Sequence, residues 1–202
     1  PNDINIGFAI VSVKVTGNGA CNVEKSANTR ITINKTATIS AGVDGVFCEG
    51  PNAISTATAV DYASLEWTSS GDGIFLPNNT VKNPSYTPGT NDLSSETVTL
   101  TLTATPLTSC QTDVVDDAIF DVYSAPVAYA GSDQTICEGN TFTISQATAD
   151  NDASILWTSS GSGSWNDPTL ENPIYTPSAG DIANQSVTLT MTITGKGVCP
   201  TD

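Results

Sequence analysis

Thr97-Val98-Thr99-Leu100-Thr101-Leu102-Thr103-Ala104 places an apolar residue at every second position and threonine at every other one. A period of two means a strand with one buried face, because successive side chains leave a pleated backbone on opposite sides. Threonine suits the wet side, since its branched Cβ fits the pleat while its hydroxyl stays in water. The pattern returns as Val187-Thr188-Leu189-Thr190-Met191-Thr192-Ile193-Thr194. Ala118, Phe120 and Val122, alternating with Ile119, Asp121 and Tyr123, predict a closing strand, and Leu65 with Trp67 and Ile155 with Trp157 predict the inward pairs of a central one.

The return is not accidental. Cys21, Cys110 and Cys199 stand 89 residues apart, as do Cys48 and Cys137, and Tyr86-Thr87-Pro88 recurs as Tyr175-Thr176-Pro177. Trp67-Thr68-Ser69-Ser70-Gly71 recurs as Trp157-Thr158-Ser159-Ser160-Gly161, displaced by 90 because of an insertion near Asn140. A fixed period of this size denotes tandem modules, and a residue repeated in each is scaffold before it is chemistry. Three units are expected: residues 1–36 as the C-terminal strands of a partial repeat, 37–125 as a complete repeat, and 126–202 as a repeat lacking its last strand. On this reading the chain is cut from a longer polypeptide.

Gly and Pro clusters at Gly71-Asp72-Gly73, Pro84, Pro88-Gly89, Gly161-Ser162-Gly163, Pro173 and Pro177 punctuate the chain, and no stretch sustains a helical period. The expected class is all-β: immunoglobulin-like sandwiches of about seven strands, one tryptophan on a middle strand, in tandem. The joints at Lys35 to Ala37 and at Ala125-Pro126 are too short to be loose tethers, so an extended rod is expected.

Six Lys or Arg against 21 Asp or Glu give a net charge of −15, which repels nucleic acid and anionic membrane. No run of 18 apolar residues offers a bilayer span. Five widely spaced cysteines in a chain without histidine, never as Cys-x-x-Cys, indicate disulfides in an oxidising compartment rather than a zinc site. The preferred pairing joins Cys48 to Cys110 and Cys137 to Cys199 within modules, leaving Cys21 a partner outside the fragment. Strand direction argues for an alternative. Cys137 comes near the far end of its module's first strand and Cys199 lies at the entry end, so a bond from Cys48 to Cys199 across the joint is the other solution, given that bonded cysteines hold their Cα atoms within about 7 Å.

Chemistry is hard to find. Without histidine there is no Ser-His-Asp or Cys-His catalysis, and no Ser-x-x-Lys or Gly-x-Ser-x-Gly appears. Asp116-Asp117 and Asp150 with Asp152 are the closest carboxylate pairs, but strand neighbours such as Asp116 and Asp117 point to opposite faces, Asp150 and Asp152 belong to an expected loop whose counterpart is Val60-Asp61-Tyr62, and no enzyme is expected. No resident cofactor is expected either. Calcium would be the ion if there were one, because carboxylates recur near the joints as Asp44 and Asp133, Glu49 and Glu138, Asp92 and Asp181, and Asp113 and Asp202. Phe75 and Trp165 occupy matching positions after the central hairpin, where an exposed ring would stack on a sugar and a buried one would pack against the sheet.

The phrases Ala130-Gly131-Ser132-Asp133-Gln134-Thr135-Ile136-Cys137-Glu138-Gly139, Trp157 to Gly163, Asn172-Pro173-Ile174-Tyr175-Thr176-Pro177 and Ser186 to Thr192 resemble the Ig-like, PKD-related repeats of giant surface adhesins in gliding Bacteroidetes. The resemblance spans nearly the whole chain and is weakest at Gly42-Val43-Asp44-Gly45-Val46-Phe47, which lacks the Asp-Gln-Thr-Ile core. It implies export by the type IX secretion system, anchorage at the outer surface and a part in attachment and gliding. Neighbouring repeats of the same polypeptide are the expected partners; the alternative readings of the chain are an array of carbohydrate-binding repeats that touch surface polysaccharide, and an accessory domain of a secreted hydrolase.

Overall fold

A computed structural model describes residues 7–20, 23–107 and 112–200. It begins with a hairpin of β1 (Phe8–Thr16) and β2 (Glu24–Thr32), paired antiparallel from Phe8 opposite Thr32 to Thr16 opposite Glu24. Val11, Val13 and Val15 alternate as the inward residues of a sandwich do, yet each is about half exposed here.

The next stretch holds β3 (Thr38–Ser40), β4 (Gly45–Cys48), β5 (Asn52–Ala53), β6 (Thr58–Val60), β7 (Tyr62–Ser69), β8 (Ile74–Leu76), β9 (Ser85–Thr87), helix α1 (Thr90–Ser95), β10 (Thr97–Pro106) and β11 (Val114–Tyr123). One sheet runs β4-β11-β10-β7, and facing it lie the pair β3-β6 and the three strands β5-β9-β8. This is an immunoglobulin-like sandwich. Threonine alternation does what the sequence predicts, for Val98, Leu100, Leu102 and Ala104 of β10 are buried along with Ala118, Phe120 and Val122 of β11, Trp67 and Leu65. The first strand is broken at Ala41 to Asp44, so that β3 joins one sheet and β4 crosses to the other, where it lies parallel to β11. With the first strand split in two, the unit has nine strands, β3 to β11, where about seven were expected.

The second unit repeats the plan with β12 (Val127–Tyr129), β13 (Phe142–Thr143), β14 (Thr148–Asp150), β15 (Asp152–Ser159), β16 (Ser164–Trp165), β17 (Ile174–Thr176), helix α2 (Ala179–Asn184) and β18 (Leu189–Gly195). The pairings β12-β14, β13-β17-β16 and β15-β18 match β3-β6, β5-β9-β8 and β7-β10. A separate core forms around Trp157, Ile144, Ala147, Met191 and Ile193.

The two six-residue helices were not anticipated, being too short to show a helical period. Each exists to seat an aspartate. The Tyr86 hydroxyl donates to Asp92 Oδ2 at 2.7 Å, and Tyr175 donates to Asp181 Oδ2 at 2.9 Å, both inside the protein. The same carboxylates cap their helices, accepting from Gly89 N–H at 3.0 Å and Ser178 N–H at 2.9 Å. Gly71 and Gly161 press against these aspartates, and Gly73 and Gly163 against the tyrosine rings, so closely that a Cβ at any of the four would collide. The Gly-x-Gly turns are therefore close-approach sites, not phosphate loops.

Burial pushes the Tyr86 phenol up to about 12, partly offset by Ser69 and reinforced by Asp92, so it stays a donor at physiological pH. The Ser178 N–H bond leads in lowering Asp181 to about 2; burial opposes it, and Tyr175 and the Ser162 N–H add to it. A carboxyl lowered in the folded state stabilises the fold above its unfolded value and ceases to do so as pH falls through the folded one. The melting temperature of the second unit should therefore drop between about pH 4 and pH 2, and Asp181→Asn should flatten that drop in a calorimetric pH series. Within β10, Leu102→Ala should cost about 2–5 kcal/mol in urea unfolding by opening a core cavity, whereas Thr101→Ala on the other face should cost less than about 1 kcal/mol.

Candidate functional site at the module joint

The feature that sequence spacing left open is the cysteine partner. Cys48 is bonded to Cys199, with 5.0 Å between the Cα atoms and a separation of 151 positions along the chain. The within-module pairing of Cys48 with Cys110 and Cys137 with Cys199 is thereby replaced, and Cys137 stands free and exposed. Cys21 and Cys110 lie outside the described residues.

The reason is strand direction. Because β4 runs parallel to β11, with Cys48 opposite Tyr123, it carries its cysteine to the end where the chain leaves the first unit. Cys199 follows β18 by four residues, at the end of the second unit that faces this exit. Its sulfur lies 3.6 Å from the carbonyl oxygens of Tyr123 and Ser124.

Around this bond the two units are fitted together. Asn52 holds the Cys48 backbone, accepting from its N–H at 3.3 Å and donating to its carbonyl at 2.7 Å. Glu49 N–H donates to Tyr123 O at 2.8 Å, and the Glu49 carboxylate accepts from Ala125 N–H at 3.2 Å. From the second unit, Asn151 donates to the Ala125 carbonyl at 3.0 Å. Lys196 reaches back, its ammonium 5.8 Å from the Tyr123 ring centroid and 3.8 Å from a Glu96 oxygen. Both charges are largely exposed, so that ion pair steers more than it stabilises. Gly197 turns at φ +58 against Val46 and the Tyr123 ring, where a side chain would be both strained and obstructed.

Other residues singled out in the sequence have different neighbours. Asp44 accepts from Ile119 N–H at 2.8 Å and Asp92 is enclosed by Tyr86 and two backbone amides. Among the described residues no three His, Cys, Asp or Glu side chains converge on a metal position; Asp202 lies outside them. Phe75 is half-buried, 6.2 Å from the Trp67 ring and 5.0 Å from Tyr86, and Trp165 lies 5.7 Å from Trp157 and 4.8 Å from Tyr175. Among the described residues no helix is long and apolar enough to cross a membrane.

The joint contacts of Asn52, Lys196 and Gly197 escaped sequence reading. Their signal would have been a recurrence at the 89-residue period, but 197 has Thr108 as its counterpart and 196 has Leu107, so the period conceals them.

No family model and no curated protein matches this chain. Solved structures similar to it include Protocadherin Gamma B2 extracellular cadherin domains 3-6 (13% identity, TM-score 0.43, covering 96% of this chain and 57% of that one). Two others are a protocadherin gammaB7 EC3-6 cis-dimer structure (11%, 0.44, 96% and 56%) and PcdhgB3 EC1-4 (13%, 0.44, 95% and 54%). The chain thus spans a little over half the length of each. Likenesses this distant carry no argument about its activity.

Closing a loop of this length removes freedom from the unfolded chain worth about 5 kcal/mol in the chain-entropy account. Mass mapping of non-reduced peptides should recover Cys48 joined to Cys199. Cys199→Ser should abolish that peptide and raise amide exchange at Tyr123 to Ala125 by about tenfold or more as the joint loosens. Recovery of a Cys48–Cys110 peptide would contradict this geometry.

Proposed function

We propose that this chain is a stalk segment of a large extracellular surface adhesin, carrying load between a cell and an adhesive tip and catalysing no reaction. The single observation behind this reading is the covalent bond across the joint. A chain pulled from its two ends passes tension along the backbone to Cys48, through the disulfide, and out at Cys199. Residues between them, including the second sandwich core and all of the first but the part contributed by β3 and β4, are bypassed. Unfolding under load is then limited to the 47 residues before Cys48 and the three after Cys199.

The acidic surface agrees with a protein kept soluble outside the cell, and the disulfide with an oxidising compartment. The repeat phrases resemble those of gliding adhesins, so the particular assignment proposed is a SprB-type gliding adhesin exported by type IX secretion, held at the outer membrane surface, with neighbouring repeats as its partners. The rival reading, in which the repeats themselves bind polysaccharide, would use Trp165 and Phe75.

Single-molecule pulling by terminal handles tests the load path. With the disulfide intact, unfolding should release only the flanks; reduction should add about 500 Å of contour length, the 151 Cα-to-Cα steps from Cys48 to Cys199 at about 3.4 Å each. Equal contour length with and without reductant would refute the bypass. Sugar binding on a glycan array that disappears in Trp165→Ala would favour the polysaccharide reading.

A further inference from the structure

Reduction is the event that would undo the joint, and the fold controls when a thiol can reach it. Cys48 is 9% exposed and Cys199 8%. The Cys199 sulfur lies against the carbonyls of Tyr123 and Ser124. Cys48 ends β4, which is covered on one side by β11, and Phe47 beside it is buried. Thiol–disulfide exchange needs a thiolate at one of the two sulfurs, so its rate follows access. With both cysteines enclosed, an opening of the structure has to come first.

Which opening comes first is set by the order of the strands. In the sheet β4-β11-β10-β7, only β4 precedes Cys48 in the chain; the other three lie inside the loop that the disulfide closes. β4 is also an edge strand, held by its four residue pairs with β11, by the Phe47 stack on Phe120 and by the bond from Ile119 N–H to Asp44. Past Cys48 the grip belongs to the loop: Asn52 bonds the Cys48 N–H and carbonyl, and Glu49 N–H donates to Tyr123 O. Tension arriving from the N-terminal side therefore pulls on β4 and is then taken up by the disulfide. Phe47 is the apolar side chain of β4 that the first core would lose, while the pairings of β10 with β11 and β7 do not involve β4 at all.

We infer that β4 is a tension-released cover over a redox-sensitive staple. The inference rests on the load-bearing reading above and gives that joint its regulation. At rest the disulfide is shielded from thiols; under load β4 leaves β11, Phe47 leaves Phe120, and the bond is open to a small external thiol. The thiolate attacks one cysteine sulfur and forms a mixed disulfide as the Cys48–Cys199 bond breaks, and the other cysteine departs as a thiolate that takes a proton from water. A second external thiolate then attacks the mixed disulfide, freeing the first cysteine. Two electrons pass to the protein cysteines, and two external thiols become one external disulfide. The joint has then lost its covalent limit, and load enters the cores that it had bypassed.

Two measurements test this, the first without load. Reduced glutathione is added to the full 202-residue chain, and the Cys48 and Cys199 thiols are followed by alkylation and mass spectrometry. Reduction should run at least about a hundredfold slower than in a disulfide-linked pair of peptides with the sequences of residues 45–51 and 196–202. Phe47→Ala, which loosens β4, should quicken it by about tenfold or more, whereas Leu102→Ala, which opens the bypassed part of the same core, should change it by less than about threefold. Equal rates in chain and peptides, or equal quickening by both variants, would overturn the proposal. In the second measurement the chain is held at constant force in glutathione. Release of residues 38–47, about 35 Å at about 3.4 Å each, should always precede the thiol-dependent step of about 500 Å. Long steps that come first would overturn the gate while leaving the load path standing, and absence of any thiol-dependent long step would overturn both.

Discussion

The parallel ladder of β4 on β11 is the constraint on which the joint depends. Four residue pairs, Gly45 with Phe120 through Cys48 with Tyr123, make it. They form because the first strand breaks at Ala41 to Asp44, where Gly42 adopts φ +107, and because Phe47 stacks on Phe120 with ring centroids 4.0 Å apart and planes 9° from parallel. Had β3 simply continued in its own sheet, Cys48 would lie in the sheet of β6, away from Tyr123. Crossing over instead brings the cysteine to the exit, beside the loop that holds Cys199. Burial of one phenylalanine pair thus determines which modules are covalently linked.

Linking neighbours instead of closing each module changes what tension can do. A bond within a sandwich protects that sandwich and leaves the joint to bend or part. A bond from Cys48 to Cys199 has the joint inside its loop, so the weakest region of a tandem array, where few contacts cross, is the one secured. The noncovalent fittings are modest by comparison: an exposed ion pair, a cation over Tyr123, and three hydrogen bonds involving Glu49 and Asn151. They orient the units, while the disulfide sets how far they can separate.

Inside each sandwich a different economy operates. The Tyr86–Asp92 and Tyr175–Asp181 pairs sit against glycine turns with no room for a side chain. A buried carboxylate is costly unless its oxygens are bonded, and here one oxygen collects a phenol and backbone amides while the helix N-terminus favours its negative charge. Asp92 and Asp181, which recur near the joints like ligands for a cation, are structural acceptors, and the Gly-x-Gly motif, aspartate and tyrosine form one unit recurring with the period.

The sequence by itself determined what depends on neighbours along the chain. Alternation in Thr97 to Ala104 names the buried face of β10, the 89-residue register names the equivalent positions of the units, and Leu65 and Trp67 read as an inward pair, because side-chain direction follows from the pleat alone. Tertiary structure alone decided which cysteine meets which, why Gly71 and Gly73 must be glycines, and where Lys196 and Gly197 make contact. Each of those depends on strand direction and on the approach of segments 13 to 151 residues apart, and spacing in a linear code is the same whether a strand enters its sheet parallel or antiparallel.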